Sequence, residues 1–328
     1  MPFWLENLVA KSRLHYPVFF IILNGALYLI GYAVAFITGN MEPYLSQPRW
    51  ILMAVFGSLN GTAVLFSLGL FRRSLVSIRP LLKLEDEAWN SLQQDLLKRL
   101  VFPIYWIPVV FWLFFSGYHA FVLGSGWWTI GTCYAQPQLI AAYGYLYQGI
   151  AGCLLGGMLM GILPINLNLA LWKLASQKGF SENIITRKGK SSFKAMKSLV
   201  ILNTAMLVVS TGIAMSLWIE VLAPAPIIGS LAELIPTAVI PHYLFHGLLV
   251  QAKDRKLRDI EQDIAKTLKM GIEASIRDLI RFEASLREEE QITPETTWLV
   301  DLHAVFELLA VTFLHVIIVE SLAIVLHF

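Results

Sequence analysis

The chemistry this sequence offers is concentrated in its last third. In His242-Tyr-Leu-Phe-His246 a four-residue step puts two imidazoles on one helix face, and His303 and Glu307 repeat the step further on. With interfaces near Lys253 and Trp298 and the usual helical rise, His246 and His303 lie roughly 8–11 Å inside hydrocarbon, and His242 and Glu307 roughly 14–17 Å. The two pairs therefore reach the same depths. Nitrogen and oxygen donors from two helices suit a zinc or iron ion, the same groups can pass protons, and they can equally close a hydrogen-bonded network between helices. The chain has no HExxH step and lacks the several histidine boxes of a di-iron site. No catalytic set is read, and a metal ion is the one cofactor the spacing allows.

A second concentration lies in 299–326, which gathers Asp301, His303, Glu307, His315 and Glu320 and is followed by His327. An ionisable group in hydrocarbon costs ~2.5–3.5 kcal/mol on insertion scales, so each needs a partner, water or a task. Read as a pore wall, Thr312 and Glu320 bracket Phe313, Val316 and Ile317 as a hydrophobic constriction. Glu42, Glu220 and Glu233 then join Glu320 on the outward face against the single Arg49, which enriches cations there, and assembly of subunits multiplies each carboxylate into a ring. The competing reading pairs these groups with Ser, Thr or Asn on neighbouring helices.

Such residues must be positioned by helices in a membrane. Of 328 residues 56% are hydrophobic and only 15% charged, a composition foreign to soluble domains. Apolar windows at about 17–38, 51–70, 101–122, 139–163, 199–222, 227–250 and 299–326 give seven transmembrane helices in an all-α polytopic fold. Of the 25 Lys and Arg residues, all but Arg49 fall in 1–16, 71–100, 173–198 and 251–297. Basic residues are retained in the cytoplasm, so the N-terminus is expected inside the cell membrane and the C-terminus, after the seventh helix at 298–328, outside. The net charge of +2 gives no nucleic-acid footprint, and Cys133 and Cys153 have no metal-ligand spacing.

The segments between spans are more than loops. Residues 1–16 read as an interfacial amphipathic segment. In 251–297 Leu257, Ile260, Ile264, Leu268, Ile272, Ile276 and Leu279 form the stripe of an amphipathic helix that, from Val250 to Glu290, would reach ~60 Å, with Gly271 its weakest point. In 71–100 a shorter stripe through Leu81, Leu84, Trp89, Leu92 and Leu96 is expected to pack with it as an anchor, joining subunits or holding a partner in a scaffold, or else forming an intramolecular helix bundle with no partner. The pairs Gly152/Gly156 and Gly157/Gly161 permit close backbone approach, and Pro164 implies a kink. Aromatic residues crowd the third and fourth spans as an interfacial belt, or as the lining of a pocket for a small apolar ligand.

Pro241-His242-Tyr243-Leu244-Phe245-His246 with Lys253, and Thr297-Trp298 with Asp301, resemble uncharacterised prokaryotic multi-pass membrane proteins over about the final 90 residues. In topology alone, seven spans with a long cytoplasmic helical region before the last resemble the insect gustatory and odorant receptor channels. The gustatory members end in Thr-Tyr, five apolar residues and Gln-Phe. Here Leu322-Ala323-Ile324-Val325-Leu326 and Phe328 match that ending, while Glu320, Ser321 and His327 depart from it. The resemblance implies a tetrameric, ligand-gated cation channel with its pore on the seventh helix and its subunits joined through the cytoplasmic anchor.

Overall fold

The computed structural model describes residues 3–118, 121, 137–177, 187–222 and 225–270. Every element among them is helical. Helix α1 (Trp4–Ser12) is followed by α2 (Tyr16–Ile37), α3 (Met41–Ser46), α4 (Arg49–Ile78), α5 (Asp86–Leu100) and α6 (Trp106–Gly117). A fourth long rod is built from α7 (Pro137–Gln148), a π-helical stretch Gly149–Gly156, α8 (Gly157–Gly161), a second π-helical stretch Ile162–Leu167 and α9 (Asn168–Ala175). Helices α10 (Arg187–Leu222) and α11 (Ala225–Met270) complete the described chain.

Among the described residues five helices are long and apolar enough to cross a membrane: Tyr16–Ile37, Arg49–Leu81, Asp86–Gly117, Ala142–Ala175 and Lys194–Leu217. This is a helical membrane protein. The expected sixth span, 227–250, lies within α11, which carries Pro236 and Pro241 in its interior and runs on without a break to Met270. The expected seventh span, Gly271 and the stripe beyond it lie outside the described residues.

Helix α4 is the centre of the bundle, packing against α2, α10 and the fourth rod. Its buried side chains divide between two apolar clusters. One joins Leu5 and Val9 of α1 to Phe71 and Leu75 of α4, Leu96 of α5, Leu174 of α9 and Met196 of α10. The other joins Ala35 of α2 and Tyr44 of α3 to Trp50 of α4, Tyr143 of α7 and Leu217 of α10. The basic segments 1–16, 71–100 and 173–198 therefore converge on the first cluster, while Arg49 sits beside Trp50 in the second.

Helix α5 buries Trp89, Leu92, Leu96 and Leu100, with Asp86 and Glu87 at its first turn and Lys98 and Arg99 at its last, where each sign suits the helix dipole. Its contacts are to α9, to the Ile162–Leu167 stretch and to α4. The stripe read from sequence is thus spent largely on the fourth rod.

The glycines of that rod work by proximity. A Cβ on Gly157 would stand 2.8 Å from Val109 Cα, and one on Gly161 would meet the backbone of Tyr105. Neither neighbour can rotate away, so the missing side chains set how close α6 lies. Pro164 falls within the second π-helical stretch, where a widened turn accommodates a residue without an N–H.

Helix α1 is held against the bundle beside the start of α6. Arg72 donates to both carboxylate oxygens of Glu6, the second at 2.8 Å, and the Phe3 N–H donates to Glu6 Oε2 at 3.0 Å. Burial pushes the Glu6 carboxyl up, but the Arg72 hydrogen bond, the Phe3 N–H and the Arg72 charge outweigh it and hold the group below its ordinary value. Trp4 Nε1 donates to the Tyr105 hydroxyl at 3.2 Å, and its ring stacks on Trp106. The helix ends at Arg13 with φ of 56°, a left-handed conformation that costs a residue with a Cβ roughly 1–2 kcal/mol.

Gly157→Ala is expected to destabilise the protein by about 1–3 kcal/mol through forced separation of α6 from the fourth rod. Gly212→Ala, whose Cβ meets nothing within 4 Å, should be neutral or stabilising by up to ~1 kcal/mol. Unfolding in detergent followed by circular dichroism distinguishes the two.

Candidate functional site

Asparagine is a weak helix former, and its amide is expensive to remove from water. Yet Asn24, Asn60, Asn166, Asn168 and Asn203 are all buried inside this bundle. Helix geometry places them. Asn60, Ser67 and Ser74 recur at seven-residue steps on α4, a spacing that keeps one face toward a neighbour crossing at a shallow angle. The neighbour is α10, running antiparallel. Ser210 Oγ donates to Asn60 Oδ1 at 2.6 Å, Ser67 Oγ donates to Asn203 Oδ1 at 2.6 Å, and Ser74 Oγ donates to the Ala195 carbonyl at 3.1 Å. Three polar rungs thus lock the seam between the two helices.

The remaining asparagines bind other helices to it. Asn24 Nδ2 donates to the Phe20 carbonyl at 2.9 Å, and the Asn24 side chain lies against Gly57 of α4. Asn60 Nδ2 points toward Gly156 of the fourth rod, 3.3 Å from where a Cβ would stand. Asn166 Nδ2 caps the end of α5 by donating to the Leu100 and Phe102 carbonyls at 2.9 and 2.8 Å. Asn168 Nδ2 donates to the Pro164 and Pro236 carbonyls, both at 2.9 Å, which ties the two proline-interrupted helices together.

One amide atom of each asparagine is left over. Asn24 Oδ1, Asn166 Oδ1 and Asn168 Oδ1 are acceptors, and Asn60 Nδ2 and Asn203 Nδ2 are donors, without a hydrogen-bond partner among the described residues. An unmet buried group costs about 1–3 kcal/mol, so sites of this kind favour ordered water or another small polar guest. These groups carry no charge and perform no acid–base chemistry at ordinary pH.

The residues singled out from sequence fall as follows. His242 on α11 is 2% exposed, and His246, one turn on, is half-buried. His303 and Glu307 lie outside the described residues, as do Thr312, Phe313, Val316, Ile317 and Glu320. Among the described residues no group of three or more His, Cys, Asp or Glu is placed to hold a metal. Glu42 is exposed on α3, Glu233 is half-buried on α11, and the side chain of Glu220 on α10 is outside the description.

Several of the aromatic residues pack on one another. Trp50 stacks on Tyr143 and Tyr147 at 5.6 and 6.3 Å between ring centroids. The hydroxyls of Tyr44, Tyr143 and Tyr147 donate to the α2 carbonyls of Tyr28, Leu27 and Asn24. That clamp fills the space between the rings. A separate apolar groove of about 460 Å³ opens sideways between α2 and α4, walled by Ile21, Gly25, Ile51, Val55, Ser58 and Thr62.

Sequence reasoning missed the asparagine ladder, although its signal was present as polar residues at seven-residue steps inside apolar spans. No family model, curated protein or solved structure matches the chain.

Ser67→Ala leaves the buried Asn203 amide without its serine and is expected to cost about 1–3 kcal/mol. The pair Ser67→Ala with Asn203→Leu should recover most of that loss, because no polar group is then stranded. A double-mutant cycle on unfolding free energy measures the coupling.

Proposed function

We propose that the chain is a cell-membrane channel that conducts cations as a homo-oligomer, with its gate on the last span, its N-terminus in the cytoplasm and its C-terminus outside. The observation that carries this reading is the contrast between the bundle's interior and the unused carboxylates. The described core is mainly apolar, and the polar side chains buried in it are amides and hydroxyls, with His242 the one buried imidazole among the described residues. A bare cation passing through it would meet no compensating charge. The last span carries Asp301, Glu307 and Glu320, so a path lined by that span between subunits supplies the charge that the bundle lacks.

In this reading Thr312, Phe313, Val316 and Ile317 form the pore wall and Glu320 the outer ring, with Glu42, Glu220 and Glu233 adding negative potential. Gathering of the basic segments at the end of the bundle that holds α1 supports the cytoplasmic assignment by positive-inside sorting. The groove between α2 and α4 is the described surface that fits a small apolar ligand. A tetramer follows from the topological resemblance alone.

Purified protein in a planar bilayer is expected to pass a cation-selective current that falls several-fold in Glu320→Gln. Absence of current under every ligand and voltage, together with a monomer in detergent, removes the proposal.

A second reading rests on His242, buried one helical turn from His246, as half of an intramembrane metal or proton site completed by His303 and Glu307. It predicts stoichiometric zinc or iron in the purified protein, lost in His246→Ala. Metal-free protein whose behaviour is unchanged by that substitution disposes of it.

A further inference from the structure

Helix α1 has three differently used sides. Leu5 and Val9 face the bundle, Trp4 and Leu8 are exposed apolar residues a quarter turn away, and Asn7 and Ala10 complete a third, exposed side. After it, Lys11, Arg13, Leu14 and His15 are all exposed on a turn of defined shape. Ser12 Oγ donates to the Val9 carbonyl at 2.6 Å and accepts the Leu14 N–H at 3.3 Å, and the His15 ring stacks on Tyr16 at 4.8 Å. The spanning helix α2 begins at Tyr16, so the turn sits where that helix leaves the hydrocarbon.

Two features mark the turn. Glu6, the acid of α1, is already engaged by Arg72, which leaves Lys11 and Arg13 without an ion-pair partner among the described residues. Arg13 also occupies the left-handed position that ends α1, with φ of 56°, where glycine or asparagine would sit without strain. A strained cation held on an ordered turn is a feature of binding sites.

We propose that Lys11 and Arg13 form a site for the phosphate headgroup of an anionic phospholipid in the leaflet at the basic end of the bundle. Exposed Trp4, Leu8 and Leu14, joined by Val18 on α2, contact its glycerol and acyl region. Charge complementarity selects the anion, and the apolar neighbours select a lipid over a soluble acid. The site rests on the membrane reading of the chain and is independent of conduction.

The test is thermal unfolding in neutral detergent with added phosphatidylglycerol or phosphatidylcholine of the same acyl chains. The wild type should be stabilised by the first far more than by the second. In Lys11→Gln with Arg13→Gly that difference should fall by at least half, while the lipid-free midpoint stays level or rises, because glycine relieves the strain at that φ. Lys98→Gln, a change to an exposed cation elsewhere at the same end, should keep the whole difference. If the double variant does not fold, the single exposed change Lys11→Gln carries the same comparison. The proposal is overturned if the variants retain the full difference, if Lys98→Gln loses as much, or if soluble glycerophosphate or an acidic peptide gives the same stabilisation.

Discussion

Everything else in this bundle is referred to the seam between α4 and α10, where three hydroxyl and amide rungs are closed inside a medium that offers no water. In hydrocarbon, apolar side chains are as content against lipid as against protein, so burial alone does not choose a register. Hydrogen bonds do. A slip of one residue along α4 would face Asn60, Ser67 and Ser74 away from their partners and strand several polar groups at once. The seam therefore fixes the rotation and height of α10 on α4, and α2 and the fourth rod are placed by packing on the same central helix.

Glycine does for the fourth rod what the rungs do for α10. Gly157 and Gly161 allow α6 and the residue before it to approach backbone to backbone, and the second π-helical stretch absorbs Pro164 while Asn166 within it and Asn168 just after it reach carbonyls on other elements. Those carbonyls belong to helix ends or proline interruptions, which are the places where main-chain oxygens are short of donors. Asparagine is well suited to the task because one amide nitrogen can serve two such oxygens. The cost is an amide atom left over at each position, and that leftover polarity gives the interior its neutral, solvating character.

Charge is distributed on a different plan. Lys and Arg residues of α1, α5 and the end of α4 gather around the first apolar cluster, the polar groups buried in the described bundle are mostly amides and hydroxyls, and Asp301, Glu307 and Glu320 lie outside the described residues. Function in the proposed channel depends on that division of labour, since a neutral core can hold helices in register without trapping a permeating ion. Helix α1 belongs to the charged end, docked by the Arg72–Glu6 pair on one side and open to lipid on another.

Sequence alone determined that the molecule is a helical membrane protein, because hydropathy over some twenty residues is a local quantity. It also determined that α5 would bury Trp89, Leu92 and Leu96 and that the glycines of the fourth rod would serve close packing. The histidine pair on α11 was legible as two residues on one face, and the residues of 299–326 proposed for the pore lie beyond what the structure describes. Only the tertiary structure decided what α5 packs on, that the tyrosines near α2 fill their own space, and that five asparagines converge on the bundle's core. Those facts depend on which faces of helices distant in sequence meet, and a seven-residue spacing on α4 says nothing until a matching spacing on α10 is laid against it.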